Sequence, residues 1–191
     1  MRTSTFQRKT SETEITTSVN LDGIGKSNVQ TGIKYLDHML TSLSTHSLID
    51  IDLQAKGDLI HHIAEDVALS LGKCIGDALG DRSGIMRFGS ASIPMDDALA
   101  SASVDLVKRP SAVVDLQMSE LNIEDMATED VLHFFQSLAT SIPANIHLRV
   151  EYGENQHHKV EALFKALAVS LRQAISNDPR RDNLPTSKGL I

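Results

Sequence analysis

Two stretches of the chain set a pair of adjacent histidines three residues before a glutamate, HHIAE at 61–65 and HHKVE at 157–161. Imidazole nitrogen and carboxylate oxygen are the donors that borderline divalent cations take, and both groups also move protons. Eight histidines in 191 residues would give roughly a third of one adjacent pair by composition alone. Two pairs with the same glutamate spacing are therefore a signal. Residues four apart share a helix face, so His61 with Glu65, and His157 with Glu161, can each grip one ion. Adjacent helical residues diverge by about 100°. His62 and His158 thus point away from their own helix's ion and are placed to reach a neighbouring one.

The elements that carry these clusters follow from hydrophobic periodicity. Residues 5–25 alternate toward a Gly-rich turn, as a strand or hairpin does. Apolar residues at Ile33, Leu36, Met39, Leu40 and Leu43 have helical spacing, 48–58 alternates like a half-buried strand, and 61–80 reads as a long amphipathic helix stopped at Gly80. Three short strands are expected in 85–95, 98–106 and 111–118, then a helix over 129–142, a strand over 145–153 and a last helix over 157–175. The order strands, helix, strand, helix thus occurs twice. Aligning the halves sets His38 on His133, Leu43 on Leu138 and Gly57 on Gly153, and it sets His61-His62 on His157-His158 and Glu65 on Glu161. The chain is a duplication, with one half at about 1–84 and the other at 85–191 including the polar tail. The fold class is α+β.

His38 and His133 on the preceding helices raise the inventory to six histidines and two glutamates, three His and one Glu for each of two ions. Such a set without thiolate suits Mn²⁺, Zn²⁺, Fe²⁺ or Co²⁺, and carboxylate with open positions leans toward Mn²⁺. His46 and His147 do not match across the repeats and read as core or surface histidines. The metalloprotease spacings HExxH and HxxEH are absent. A net charge of -7 without a basic stripe argues against nucleic acid. No apolar run approaches membrane-spanning length, and the N-terminus lacks the apolar core of a signal peptide. The single cysteine, Cys74, lies in an apolar helix pattern and reads as a buried thiol. The expected location is the cytoplasm.

Along nearly its whole length the sequence resembles the imidazoleglycerol-phosphate dehydratase family. The resemblance is carried by RKTSETEI, LDGIGKSNVQTGIKYLDHML, HHIAED, GIMRFG, PMDDALA, LHFFQSLA, GENQHHKVEALFKA and the terminal LPTSKG. It implies two-layer α/β halves like ribosomal protein S5 domain 2, and a 24-mer with di-manganese sites between subunits. By resemblance one ion takes His61, Glu65, His133 and His158, and the other takes His38, His62, His157 and Glu161. The implied reaction is dehydration of imidazoleglycerol phosphate in histidine biosynthesis. The proton to be lost has no flanking carbonyl, so a metal on the ring nitrogens would favour an electron-rich imidazolate that expels the hydroxyl. Glu12 and Asp96 are the implied proton-transfer carboxylates. Arg87, Arg109, Lys165, Thr186 and Lys188 are the implied phosphate ligands, since no P-loop is present.

The sequence departs from the family at several points: DLIHH replaces an Asp-rich IDDHH, Ser42 stands near a usual glutamine, VKRP replaces SGRP, and TSKG replaces STKG. None of these removes an implied metal ligand. Two other readings use the same residues. One is a metal-binding or assembly protein without turnover, for which a phosphate clamp has no use. The other is a different metal-dependent lyase or hydrolase on this scaffold.

Overall fold

Residues 1–189 are described by a computed structural model. Strand β2 (Thr13–Asn20) shows how the sheets are specified: Thr13, Ile15, Thr17 and Val19 turn inward, while the residues between them face outward. With β1 (Thr3–Lys9), β3 (Ser27–Gln30) and β4 (Asp50–Gly57) it forms a four-stranded sheet of order β1-β2-β4-β3. β1/β2 and β2/β4 are antiparallel, and β3/β4 is parallel. Helix α1 (Lys34–Ser47) makes the crossover that a parallel pair requires, and α2 (Ile60–Ala78) follows β4.

The second half repeats this arrangement. β5 (Phe88–Met95), β6 (Ala98–Asp105), β7 (Ser111–Asp115) and β10 (Asn145–Tyr152) form a sheet of order β5-β6-β10-β7. Its single parallel pair, β7/β10, is bridged by α3 (Thr128–Ser141), and α4 (Gln156–Ile175) closes the unit. The internal duplication is thus present in topology as well as in sequence. A small hairpin, β8 (Asn122–Ile123) and β9 (Met126–Ala127), is inserted before α3 and has no counterpart among the described residues of the first half.

Helices α1 and α2 lie on the first sheet and α3 and α4 on the second, and the two halves meet helix to helix, α2 against α3 and α1 against α4. One apolar core runs through both halves. Its aromatic centre is Phe134, Phe135 and Phe164, with ring centroids 4.7–5.7 Å apart. At Gly72 a side chain would collide with Ser141, so glycine is what lets α2 approach α3 this closely. Cys74 is buried in this core, where loss of solvation pushes its thiol up to about 11, and it serves as a small apolar filler.

Candidate metal and active site

The crossed helix pairing brings together residues that lie far apart in sequence. His61 and Glu65 near the start of α2 meet His133 of α3, and His38 of α1 meets His157 and Glu161 of α4. In each group one ligand atom per residue lies within 4.8 Å of the others. Each cluster therefore draws on both halves of the duplication.

In the first cluster the His61 and His133 rings stack with centroids 4.9 Å apart, and His133 Nε2 is 3.9 Å from Glu65. In the second, Glu161 lies 3.5 Å from His38 Nε2 and 3.3 Å from His157 Nε2. Burial pushes the Glu161 carboxyl up, but the hydrogen bond and charge of Lys165 at 2.8 Å, aided by His38, bring it below the usual range. Glu161 is thus a carboxylate at neutral pH. Two imidazoles and a carboxylate within one ion's reach, without thiolate, fit a divalent cation at each cluster.

His62 and His158 stand outside both clusters. His62 Nδ1 contacts Asp58 at 2.8 Å and lies 3.9 Å from Glu12 in the β1–β2 turn. His158 Nδ1 contacts Asp97 at 2.5 Å, and its Nε2 lies 3.5 Å from Asp96 in the β5–β6 turn. Hydrogen bonding to Asp58 and to Asp97 raises the two imidazoles above their ordinary value. Glu12 and Asp96 therefore occupy equivalent turns of the two halves, each beside the outer histidine of its pair.

Four of the five residues with an implied phosphate role line one cavity of about 530 Å³: Arg87, Arg109, Thr186 and Lys188, joined by Lys108. Arg87 grips Asp105 with two nitrogens at 2.6 and 3.0 Å and donates to the Pro185 carbonyl at 2.9 Å, which ties the tail to β5. Lys165 lies elsewhere, between Glu161 and Met95. His46 of α1 lies near this lysine: burial lowers its pKa first, and Lys165 lowers it further.

Sequence reasoning did not identify several neighbours of these groups. Asp130 lies 2.7 Å from His61 Nδ1, and Glu124, in the β8–β9 turn, lies 3.2 Å from His157 Nδ1. Asp125 accepts the Lys34 and Tyr35 amides at 2.8 and 3.0 Å, so it caps α1 from the other half of the chain. Asp58 did have a local signal, because it precedes His62 by four residues. The contacts of Glu124 and Asp125 depend on tertiary structure and had none.

The family model for imidazoleglycerol-phosphate dehydratase matches residues 31–171. The chain belongs to the imidazoleglycerol-phosphate dehydratase family. The imidazoleglycerol-phosphate dehydratase of Dehalococcoides mccartyi is 49% identical over 191 residues, covering 100% of this chain and 97% of the relative. That of Chlorobium phaeovibrioides is 50% identical over 193 residues, covering 100% and 96%. Among solved structures, the Staphylococcus aureus dehydratase superposes with a TM-score of 0.85 at 30% identity, covering 92% of this chain and 99% of that one. The Pyrococcus furiosus enzyme gives 0.86 at 35% identity, covering 97% and 100%. These dehydratases are hydro-lyases, and the likeness extends beyond the matched segment to β1, β2 and the tail.

Proposed function

We propose that the chain is a divalent-metal-dependent dehydratase that converts D-erythro-imidazoleglycerol phosphate to imidazoleacetol phosphate and water in histidine biosynthesis. The observation that carries this reading is the pair of His/Glu clusters beside two equivalent carboxylate turns, in a chain of this family. His61, Glu65 and His133 hold one ion, and His38, His157 and Glu161 the other, with Mn²⁺ favoured by the nitrogen and carboxylate donors. His158 and His62 complete these sets from neighbouring copies, in a homo-oligomer of 24 chains with sites between subunits, working in the cytoplasm. Bound there, the ions would supply Lewis acidity toward a substrate held beside them.

The remaining chemistry falls to side chains of the protein. Dehydration breaks the C–O bond beside the ring and removes a proton from the next carbon, which leaves an enol that becomes the ketone of the product. Glu12 and Asp96 stand within reach of the outer histidines, and each is a candidate to take that carbon-bound proton or to protonate the departing hydroxyl. Arg109, Thr186 and Lys188 bind the phosphate in the tail cavity, with Arg87 held in place by Asp105. Lys165, placed near the second cluster, completes the phosphate contacts of a neighbouring chain's substrate.

The deciding experiment is turnover of imidazoleglycerol phosphate by chelator-stripped protein, with and without added Mn²⁺. Activity that returns only with metal is the expected result. Tight Mn²⁺ uptake without turnover would refute the substrate assignment.

A further inference from the structure

All four histidines of the two pairs meet a carboxylate through the same ring atom, Nδ1. The distances are 2.7 Å for His61 to Asp130, 2.8 Å for His62 to Asp58, 3.2 Å for His157 to Glu124 and 2.5 Å for His158 to Asp97. A neutral imidazole donates from one nitrogen and offers a lone pair on the other. We infer that Asp58, Asp97, Glu124 and Asp130 are positioning residues that hold these four rings as Nδ1–H tautomers, so that every Nε2 lone pair is set for metal before metal arrives. The use of that orientation rests on the metal reading above, while the tautomer itself does not.

The duplication accounts for the histidines but only in part for the carboxylates: the turn that gives Asp97 to His158 has its counterpart in the turn that sets Glu12 3.9 Å from His62 Nδ1, yet the shorter contact there is to Asp58. Asp130 precedes His133 by three residues, and the matching place before His38 holds Tyr35, whose ring packs edge-on against His157 with centroids 5.2 Å apart. Glu124 supplies the missing carboxylate from the β8–β9 turn, where its backbone is left-handed at φ 51. A non-glycine residue adopts such a conformation only against the steric clash of its Cβ. Asp58 comes from the residues leading into α2. Asp97 comes from the β5–β6 turn, where the Glu154 and Asn155 amides donate to it at 2.6 and 3.0 Å. Four carboxylates from four different segments thus arrive at the same ring atom, an outcome that inheritance of the repeat alone does not produce. Carboxylate partners of this kind orient metal-binding histidines in general.

His62 and His158 give the inference its content. Both stand outside the clusters of their own chain, yet both are oriented like His61 and His157. At His158 the Nδ1 contact to Asp97 is 2.5 Å, against 3.5 Å from Nε2 to Asp96, so Nδ1 has the closer carboxylate. At His157 the rival contacts are 3.2 Å to Glu124 and 3.3 Å to Glu161, which makes Glu124 the most sensitive of the four.

The test uses full-length, metal-stripped protein with ¹⁵N-labelled histidine, with the pH raised until the spectra themselves show neutral imidazole. Solid-state ¹⁵N spectra report which ring nitrogen carries the proton, and Mn²⁺ titration reports affinity. The parent should show Nδ1–H at His62 and His157. Asp58→Ala should convert His62, and Glu124→Ala should convert His157, to the Nε2–H form. Each should weaken Mn²⁺ binding roughly 10–100-fold, and Asp58→Asn, which keeps an acceptor oxygen, should restore the tautomer. Nε2–H at these rings in the parent, or unchanged tautomers and Mn²⁺ affinity in both alanine variants, would overturn the inference. The spectra need no metal, so they decide the orientation even if the stripped parent fails to take up Mn²⁺, a failure that would count against the proposed function instead.

Discussion

Glu161 ties the second cluster to its neighbouring lysine. It contacts His38, His157 and Lys165 and is nearly enclosed by the seam between α1 and α4. Glu161→Gln keeps the volume and a hydrogen-bond acceptor but removes the charge. It should weaken Mn²⁺ binding by more than the roughly 10–100-fold that loss of an outer partner costs, and abolish turnover, while thermal unfolding stays close to the parent. Full activity in this variant, measured alongside metal content, would refute the ligand role. The residue's importance was legible in the sequence because an i, i+4 spacing on a helix is a local geometric fact. The placement of Lys165 was not legible. Spacing put it one turn beyond Glu161, but nothing local shows whether a lysine faces a carboxylate of its own helix or a separate cavity.

The elements were legible where burial repeats with a period and obscure where pairing alone defines them. The four helices and the long strands follow apolar spacing, and each helix begins close to the residue that periodicity indicates. β3 is short and mostly exposed, and its strand character comes from pairing with β4. The two-residue strands β8 and β9 exist only as a hairpin, and the expected strand over 111–118 ends at Asp115. Element spacing yields two predictions. Gly72→Ala drives a methyl group into Ser141, so α2 and α3 must separate. Overpacking of this kind costs about 1–3 kcal/mol, read as a lowered Tm. Mn²⁺ capacity at the His61, Glu65 and His133 cluster should fall with it, whereas unchanged stability would show that the helices have slack. The second prediction concerns Asp50, at the start of β4, which accepts the Ile24 and Lys26 amides and the Asn20 side chain and so pins the loop before β3. Burial raises its carboxyl, but the amides of Lys26 and Ile24 outweigh this and hold it below its ordinary value. Its folded pKa lies under the unfolded one, so its stabilisation is present at neutral pH and is lost as pH falls through the folded value. Unfolding curves of the parent and Asp50→Ala should therefore differ at neutral pH and converge in acid.

At the scale of the whole molecule, duplication and helix pairing divide the work between the halves. Each cluster takes a His/Glu pair from one half and a histidine from the other, so neither half alone can hold a complete set. This sharing of donors can extend past one chain. His62 and His158 face outward beside Asp58 and Asp97, and each cluster has three donors from its own chain where a fourth is available on the surface. If these histidines complete the clusters of neighbouring copies, each ion is also a link between chains, and metal binding must couple to assembly by mass action. Chelation should then shift the protein toward smaller species, and Mn²⁺ should reverse the shift, as followed by light scattering at fixed protein concentration. His62→Ala and His158→Ala should each lower metal content while leaving the three-donor clusters of the chain intact, and each should weaken the response of particle mass to Mn²⁺. Both variants keep the chain's own core, so a loss of assembly without unfolding separates an interchain ligand from a structural residue. Metal content and particle mass unchanged in both would mean that each cluster holds its ion with the donors of one chain, and that the outer histidines act on substrate rather than metal.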